Sequence, residues 1–185
     1  MENQNNVSNA TLVELKQAFL SSAISDISTY IQLADTKVSI ILGSLVALIA
    51  GIAACYEPIL NAFQNLVPCS WLGVIVSILL IFNFLSVISA FIFGILTIRG
   101  HVSIIGYKSK WFLPQSCKEY SFDAFKHDVL AMTPNDIVEN MAAELYKLND
   151  INRQKAKTTK WVILSFSAIL ISATIIFMIL LISSL

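Results

Sequence analysis

The chain has 185 residues, 56% hydrophobic and only 13% charged, with twelve basic and twelve acidic side chains that cancel to a formal charge of zero. An ordinary soluble domain carries about 25% charged residues, so this composition excludes one, and no basic patch is dense enough for duplex nucleic acid. Three long apolar runs mark an all-α integral membrane protein with three transmembrane helices.

Residues 1–10 are rich in Asn and Gln and read as a disordered tail. The first thirty residues are polar and acidic, with no basic region leading into a short apolar core, so no cleavable signal peptide is expected. A helical pattern starts at Thr11. Leu12, Leu15, Phe19, Ala23, Ile27, Tyr30 and Ala34 recur at steps of three or four, and Lys16, Gln17, Ser22, Ser25, Asp26, Thr29 and Gln32 take the other face. The spacing predicts an amphipathic cytosolic helix over 11–37 that buries its Leu12–Ala34 stripe. No Gly or Pro separates it from the apolar run at Val38, so the helix passes through Ala34-Asp35-Thr36-Lys37 into the first crossing. Val38 to Tyr56 gives nineteen residues without a charge, close to the ~20 that cover the hydrocarbon core.

Glu57-Pro58 ends this crossing, and 57–70 reads as an outward loop without Lys or Arg. Cys55 and Cys69 bracket that loop. They are either a disulfide pair, if the loop faces an oxidising compartment, or two small apolar residues near helix ends. The second crossing spans 71–98, opened by an interfacial Trp71 and closed by Arg99; its length implies tilt or protrusion.

Residues 99–160 form a cytosolic segment. Its first part, to residue 132, is broken by glycines and Pro114 and reads as irregular. Thr133-Pro134-Asn135-Asp136 then starts a helix over 134–160, with Thr as cap, Pro at the first position and an acid in the first turn. Val138, Met141, Leu145 and Leu148 give it an apolar stripe. It turns basic at Arg153, Lys155, Lys157 and Lys160 and enters the third crossing, 161–182. Lys and Arg flank both membrane edges of 99–160 and are missing from 57–70, so the N-terminus is cytosolic and the C-terminus outward.

Two cytosolic helices thus run into crossings one and three, each with a stripe that a lone helix does not keep in water. They are expected to pack as a small stalk. Asp35 lies three residues before crossing one and Thr158 three before crossing three. The register predicts an interfacial ion pair between Asp35 and one of Lys155, Lys157 or Lys160; the alternative is an Asp35 that meets only headgroups and water.

Little in the sequence is catalytic. His101 and His127 have no companions at ligand spacing, Cys117 is alone, and no phosphate-cradling Gly-rich loop, GxSxG or HExxH occurs. The reading is a non-enzyme with no metal and no cofactor. The crossings hold no Asp, Glu, Lys, Arg or His, which argues against an ion-coupled transporter. Small residues recur every four positions at Gly43, Ala47 and Gly51, and at Ser86, Ala90 and Gly94; Ser165, Ala168 and Ser172 do something similar. Such faces let helices approach closely, first of all within one subunit, and leave surface for a homo-oligomer. Asn83 is a candidate interhelical hydrogen bond. For a ligand, Arg99, His101, Lys108, Lys110, Trp111 and Phe112 offer cations and flat faces, as an anionic nucleotide requires. The same residues also suit lipid headgroups.

The ADTK junction at 34–37, Ser116-Cys-Lys-Glu119-Tyr120, and Glu144-Leu-Tyr-Lys-Leu-Asn-Asp-Ile-Asn-Arg-Gln-Lys155 ahead of the last crossing resemble the transmembrane effectors of Pycsar antiphage systems. The similarity covers roughly 12–182. The resemblance implies a partner cyclase that makes cyclic CMP or cyclic UMP on infection. It also implies an effector that impairs the inner membrane, so that the cell stops growing before phage mature. It assigns no nucleotide-contacting residue. Two other classes fit the residues: a constitutive holin-like pore, and a membrane scaffold that permeabilises nothing.

Overall fold

A computed structural model describes residues 2–66, 71–99 and 121–184. All five elements among them are α-helices: α1 Glu2–Ala54, α2 Tyr56–Leu66, α3 Trp71–Ile98, α4 Phe122–Leu130 and α5 Pro134–Ser184. Parts of α1, α3 and α5 are long and apolar enough to cross a membrane, so the chain is an all-α membrane protein.

Several boundaries differ from the sequence reading. Helix α1 begins at Glu2, not near residue 11. The Asn/Gln-rich start has no Gly or Pro, and once a helix exists each further residue adds one bond at little cost. At the other end α1 stops at Ala54. Pro58 has no N–H for the carbonyl of Ala54, and its ring would crowd that carbonyl. Cys55 forms the joint, its N–H shared between the carbonyls of Gly51 (3.1 Å) and Ile52 (3.2 Å). The expected loop is then mostly the helix α2, with Glu57 in its first turn. Cys55 is an exposed free thiol; Cys69 lies outside the described residues.

A second helix appears in the stretch expected to be irregular. Ser121 caps α4, its Oγ accepting from the N–H of Ala124 at 3.2 Å, and Asp123 sits in the first turn. Helix α5 starts as expected. Thr133 Oγ1 accepts from the N–H of Asp136 (3.3 Å), and Asp136 Oδ2 accepts from the N–H (2.8 Å) and hydroxyl (2.7 Å) of Thr133.

The chain divides into two compact units. The first joins α1 up to Gln32 with residues 101–154; the second joins 33–100 with 155–185. In the first unit the buried side chains include Leu20 of α1 and Asn140, Met141 and Glu144 of α5. Here the expected stripe of α1 faces inward only in part. Leu12, Leu15, Phe19 and Tyr30 are exposed, whereas its Ala23 and Ile27 are half-buried, beside Val13, Gln17, Leu20 and Ile24 of an inward stripe. Both stripes have steps of three and four. The inward one is richer in β-branched residues, but periodicity alone does not choose between them.

In the second unit three spans pack around Leu45 of α1, Ala90 of α3 and Ile169 of α5. Buried or half-buried residues fall at seven-residue steps on each helix: Val38 and Leu45; Val76, Asn83, Ala90 and Thr97; Lys155, Val162, Ile169 and Ile176. This 3.5-residue period is that of left-handed coiled-coil packing. The cross-helix pairs run in step, with α1 and α5 parallel and α3 antiparallel to both.

Candidate functional site

The interior of the second unit carries an ordered set of polar contacts. At one end Lys155 Nζ donates to Asp35 Oδ1 and Oδ2 at 2.5 and 2.6 Å. The ammonium side chain is 7% exposed and the carboxylate 38%. Lys157 and Lys160 are both exposed. Of the three lysines, 155 alone falls on the inward heptad position of α5, because 155 leads to Val162 and Ile169 at steps of seven. One turn further, Thr159 Oγ1 is buried without a hydrogen-bond partner among the described residues.

Deeper in the span the contacts link α3 to α5. Phe93 stacks on Trp161, ring centroids 5.8 Å apart and planes 17° from parallel. Ser89 and Ser165 share a hydrogen bond of 3.0 Å. Asn83 Nδ2 donates to Ser172 Oγ at 2.8 Å and to the carbonyl of Ile169 at 3.2 Å. An amide inside lipid has no water to fall back on, so these bonds fix the register of α3 against α5. Ser86 and Thr97 return their hydroxyls to the carbonyls of Phe82 and Phe93 and so cost little when buried.

The small residues separate into two groups. Ser86, Ala90 and Gly94 are buried. A Cβ on Gly94 would come within 2.9 Å of Leu42 side-chain atoms, so Gly94 leaves the room on α3 that the Leu42 side chain of α1 fills. Ser165 and Ser172 are buried and Ala168 half-buried on α5. Gly43, Ala47 and Gly51 do the opposite. All three are exposed, and a Cβ on Gly43 or Gly51 would meet nothing within 4 Å. The expectation that this stripe packs within the subunit is therefore corrected: α1 turns its Val38–Leu45 side inward and leaves the glycines outside.

In the first unit, Asn140 donates to the carbonyl of Asp136 at 2.8 Å. Among the described residues Glu144 Oε2 is buried with no hydrogen-bond partner. Lys147 Nζ stands 3.9 Å from it, beyond hydrogen-bond range. Further along α5, Asp150 receives Arg153 at 3.0 Å and Gln154 at 3.0 Å. The sequence reading passed over Glu144 and Thr159. The signal was there, since 141, 144 and 148 share one side of a helix, as do 155, 159 and 162. Of the proposed ligand residues, Arg99 is exposed, its N–H bonded to the carbonyl of Ile95 at 2.9 Å as the last turn of α3 closes. His101, Lys108, Lys110, Trp111 and Phe112 lie outside the described residues. His127 is exposed beside Asp128 on α4.

A protein-family model described as the Pycsar effector protein domain (PycTM) matches residues 19–183. The chain belongs to the Pycsar effector family. The match takes in α1 from residue 19 onward, the whole of α3 and all but the last residue of α5, so the packed spans and the Asp35–Lys155 pair are parts of the effector domain itself. A Pycsar effector of this kind is a transmembrane component of antiphage defence. No curated protein and no solved structure matched the chain.

Proposed function

We propose that this Pycsar effector responds to a cyclic pyrimidine nucleotide, cyclic CMP or cyclic UMP, made by a partner cyclase, and then impairs the bacterial inner membrane. Infected cells stop growing before phage mature. The protein is not an enzyme in this reading. It works as a homo-oligomer whose N-terminus and 99–160 segment are cytosolic and whose C-terminus is periplasmic. The observation that carries the reading is the family match over 19–183, together with three spans of sufficient length and hydropathy. Exposed Arg99 at the end of α3 and exposed Lys157 and Lys160 just ahead of the third span support the orientation.

The nucleotide is assigned to the cytosolic segment, with Arg99, His101, Lys108, Lys110, Trp111 and Phe112 as its contacts. Cations there meet the phosphate and flat side chains stack on the base. Binding acts only by favouring one packing of the assembly over another. The packed interfaces of the spans supply discrete arrangements to choose between. The test is expression of the effector alone and with its cyclase, following growth and membrane potential. Toxicity without cyclase would instead mark a constitutive pore, and polarised cells with cyclase a scaffold.

A further inference from the structure

We infer that α2 is an interfacial helix lying along the edge of the bilayer remote from the Asp35–Lys155 pair, its partner the acyl-chain boundary of uncharged phospholipid. Two observations within the second unit carry this: how α2 sorts its side chains, and the depth at which it begins. At about 3.6 residues per turn, Tyr56, Ile59, Leu60 and Phe63 share one side of α2, and Glu57, Asn61 and Gln64 take the opposite side. Tyr56, Ile59 and Leu60 are exposed. Phe63 is half-buried, and α2 packs against α3. A helix rising straight out of the bilayer sorts apolar from polar along its length. Helix α2 sorts them around its circumference, from Glu57 near its start to Gln64 near its end, so its axis follows the boundary.

The depth follows from the packing of the spans. Leu42 fills the room at Gly94, and Leu45 meets Ala90 in the core. Counted on in opposite directions from these pairs, Ala54 at the end of α1 lies level with Phe82 of α3. The next residue, Asn83, bonds to Ser172 of α5. From that level α3 continues to Trp71 and α5 to Ser184, roughly 16–18 Å past the end of α1 at about 1.5 Å per residue. The charge-free part of α1, Val38–Ala54, covers only about 25 Å at that rise, against ~30 Å of hydrocarbon. Helix α1 thus stops about 5 Å inside the hydrocarbon edge, and Cys55 alone separates it from α2. Amphipathic helices seat their apolar side about 5–10 Å into this boundary, so α2 fills the deficit that α1 leaves. A water-soluble partner has no route to the apolar side of a helix that starts within hydrocarbon, and α3 leaves Ile59 and Leu60 uncovered. Lipid covers them, and the Tyr56 ring suits the headgroup level. Helix α2 has no Lys or Arg and carries Glu57, so buried apolar area holds it there rather than attraction to anionic headgroups.

Seating α2 in lipid needs neither nucleotide nor cyclase, so it stands or falls apart from the proposed function. Single cysteines are placed in a full-length chain with Cys55, Cys69 and Cys117 changed to serine, labelled with an environment-sensitive fluorophore and reconstituted in phosphatidylcholine vesicles. Lipid brominated near the headgroup is expected to quench Ile59→Cys and Leu60→Cys about fivefold more than Asn61→Cys and Gln64→Cys. Before labelling, Asn61→Cys and Gln64→Cys should react about tenfold faster with a water-soluble maleimide than the other two. Val46→Cys, exposed in the middle of the span, should respond instead to lipid brominated at the chain ends. Adding phosphatidylglycerol should change none of these values. The two sites on each side of α2 report independently, so loss of one variant to misfolding leaves the comparison intact. Equal quenching on both sides of α2, or free reaction with water-soluble maleimide at 59 and 60, would overturn the inference. So would shielding of 59 and 60 from lipid and water alike, as a protein partner or a second copy would produce, or quenching that needs anionic lipid.

Discussion

Removing either partner of the Asp35–Lys155 pair should not have the same effect, because the two groups are buried to different degrees. At an effective dielectric of about 20, unit charges about 2.6 Å apart attract by roughly 6 kcal/mol, and desolvation of the ammonium offsets most of that. The net contribution is therefore small while the pair is intact. Asp35→Asn strands Lys155, whose side chain is 7% exposed. Breaking a buried pair costs about 3–5 kcal/mol; the Asn oxygen still accepts one hydrogen bond, so about 2–4 kcal/mol is expected here. Lys155→Met leaves a carboxylate 38% exposed, which water can solvate. That change should cost about 1 kcal/mol or less. The double variant strands no buried charge and should resemble Lys155→Met, a coupling of about 2–4 kcal/mol. For a chain of this size 1 kcal/mol shifts the midpoint by about 2–4 °C. Thermal loss of helicity in mild detergent should then fall by about 5–15 °C for Asp35→Asn and by no more than about 4 °C for the other two. Equal losses for the single variants, or additive losses in the double variant, would refute the reasoning.

Other positions give sharper local tests. Asn83→Leu removes both hydrogen bonds to α5 and should cost about 0.6–2 kcal/mol in detergent unfolding; no change in midpoint would show that these bonds do not hold the register. Gly94→Leu should lower the midpoint more than Gly94→Ala, because only the flexible end of Leu42 must give way to a methyl. Thr133→Ala removes the reciprocal cap of α5 and should cost about 1 kcal/mol, with Thr133→Ser restoring it.

The three spans were readable from the sequence because charge-free apolar runs long enough to cross have no other common use. The start of α5 was readable because Thr133, Pro134 and Asp136 each favour a different position of one helix start. The Asp35–Lys155 register followed from counting residues into two parallel spans. The choice of Lys155 over Lys157 and Lys160 did not, since it depends on the heptad phase of α5. The inward face of α1 was read only in part for a related reason. Both stripes over Leu12–Ala34 are helical in spacing, and only the packing of the other helices places Leu20 and Ile24 inside and Leu15 and Phe19 outside. Helices α2 and α4 were missed because Pro58, and the glycines and Pro114 ahead of Phe122, read as breakers. Proline within a first turn and a single Ser121 cap are weak signals in isolation. Glu144 was overlooked because a carboxylate on a surface helix is normally solvated.

The central claim is that the packed spans hold an intact membrane until the cyclic pyrimidine nucleotide arrives. Its most direct test follows membrane potential with a voltage-sensitive dye in cells expressing the effector while its cyclase is switched on. Depolarisation is predicted only when both are present, within the time of nucleotide accumulation, and not with a catalytically dead cyclase. Depolarisation by the effector alone, or stable potential as nucleotide rises, would contradict the account.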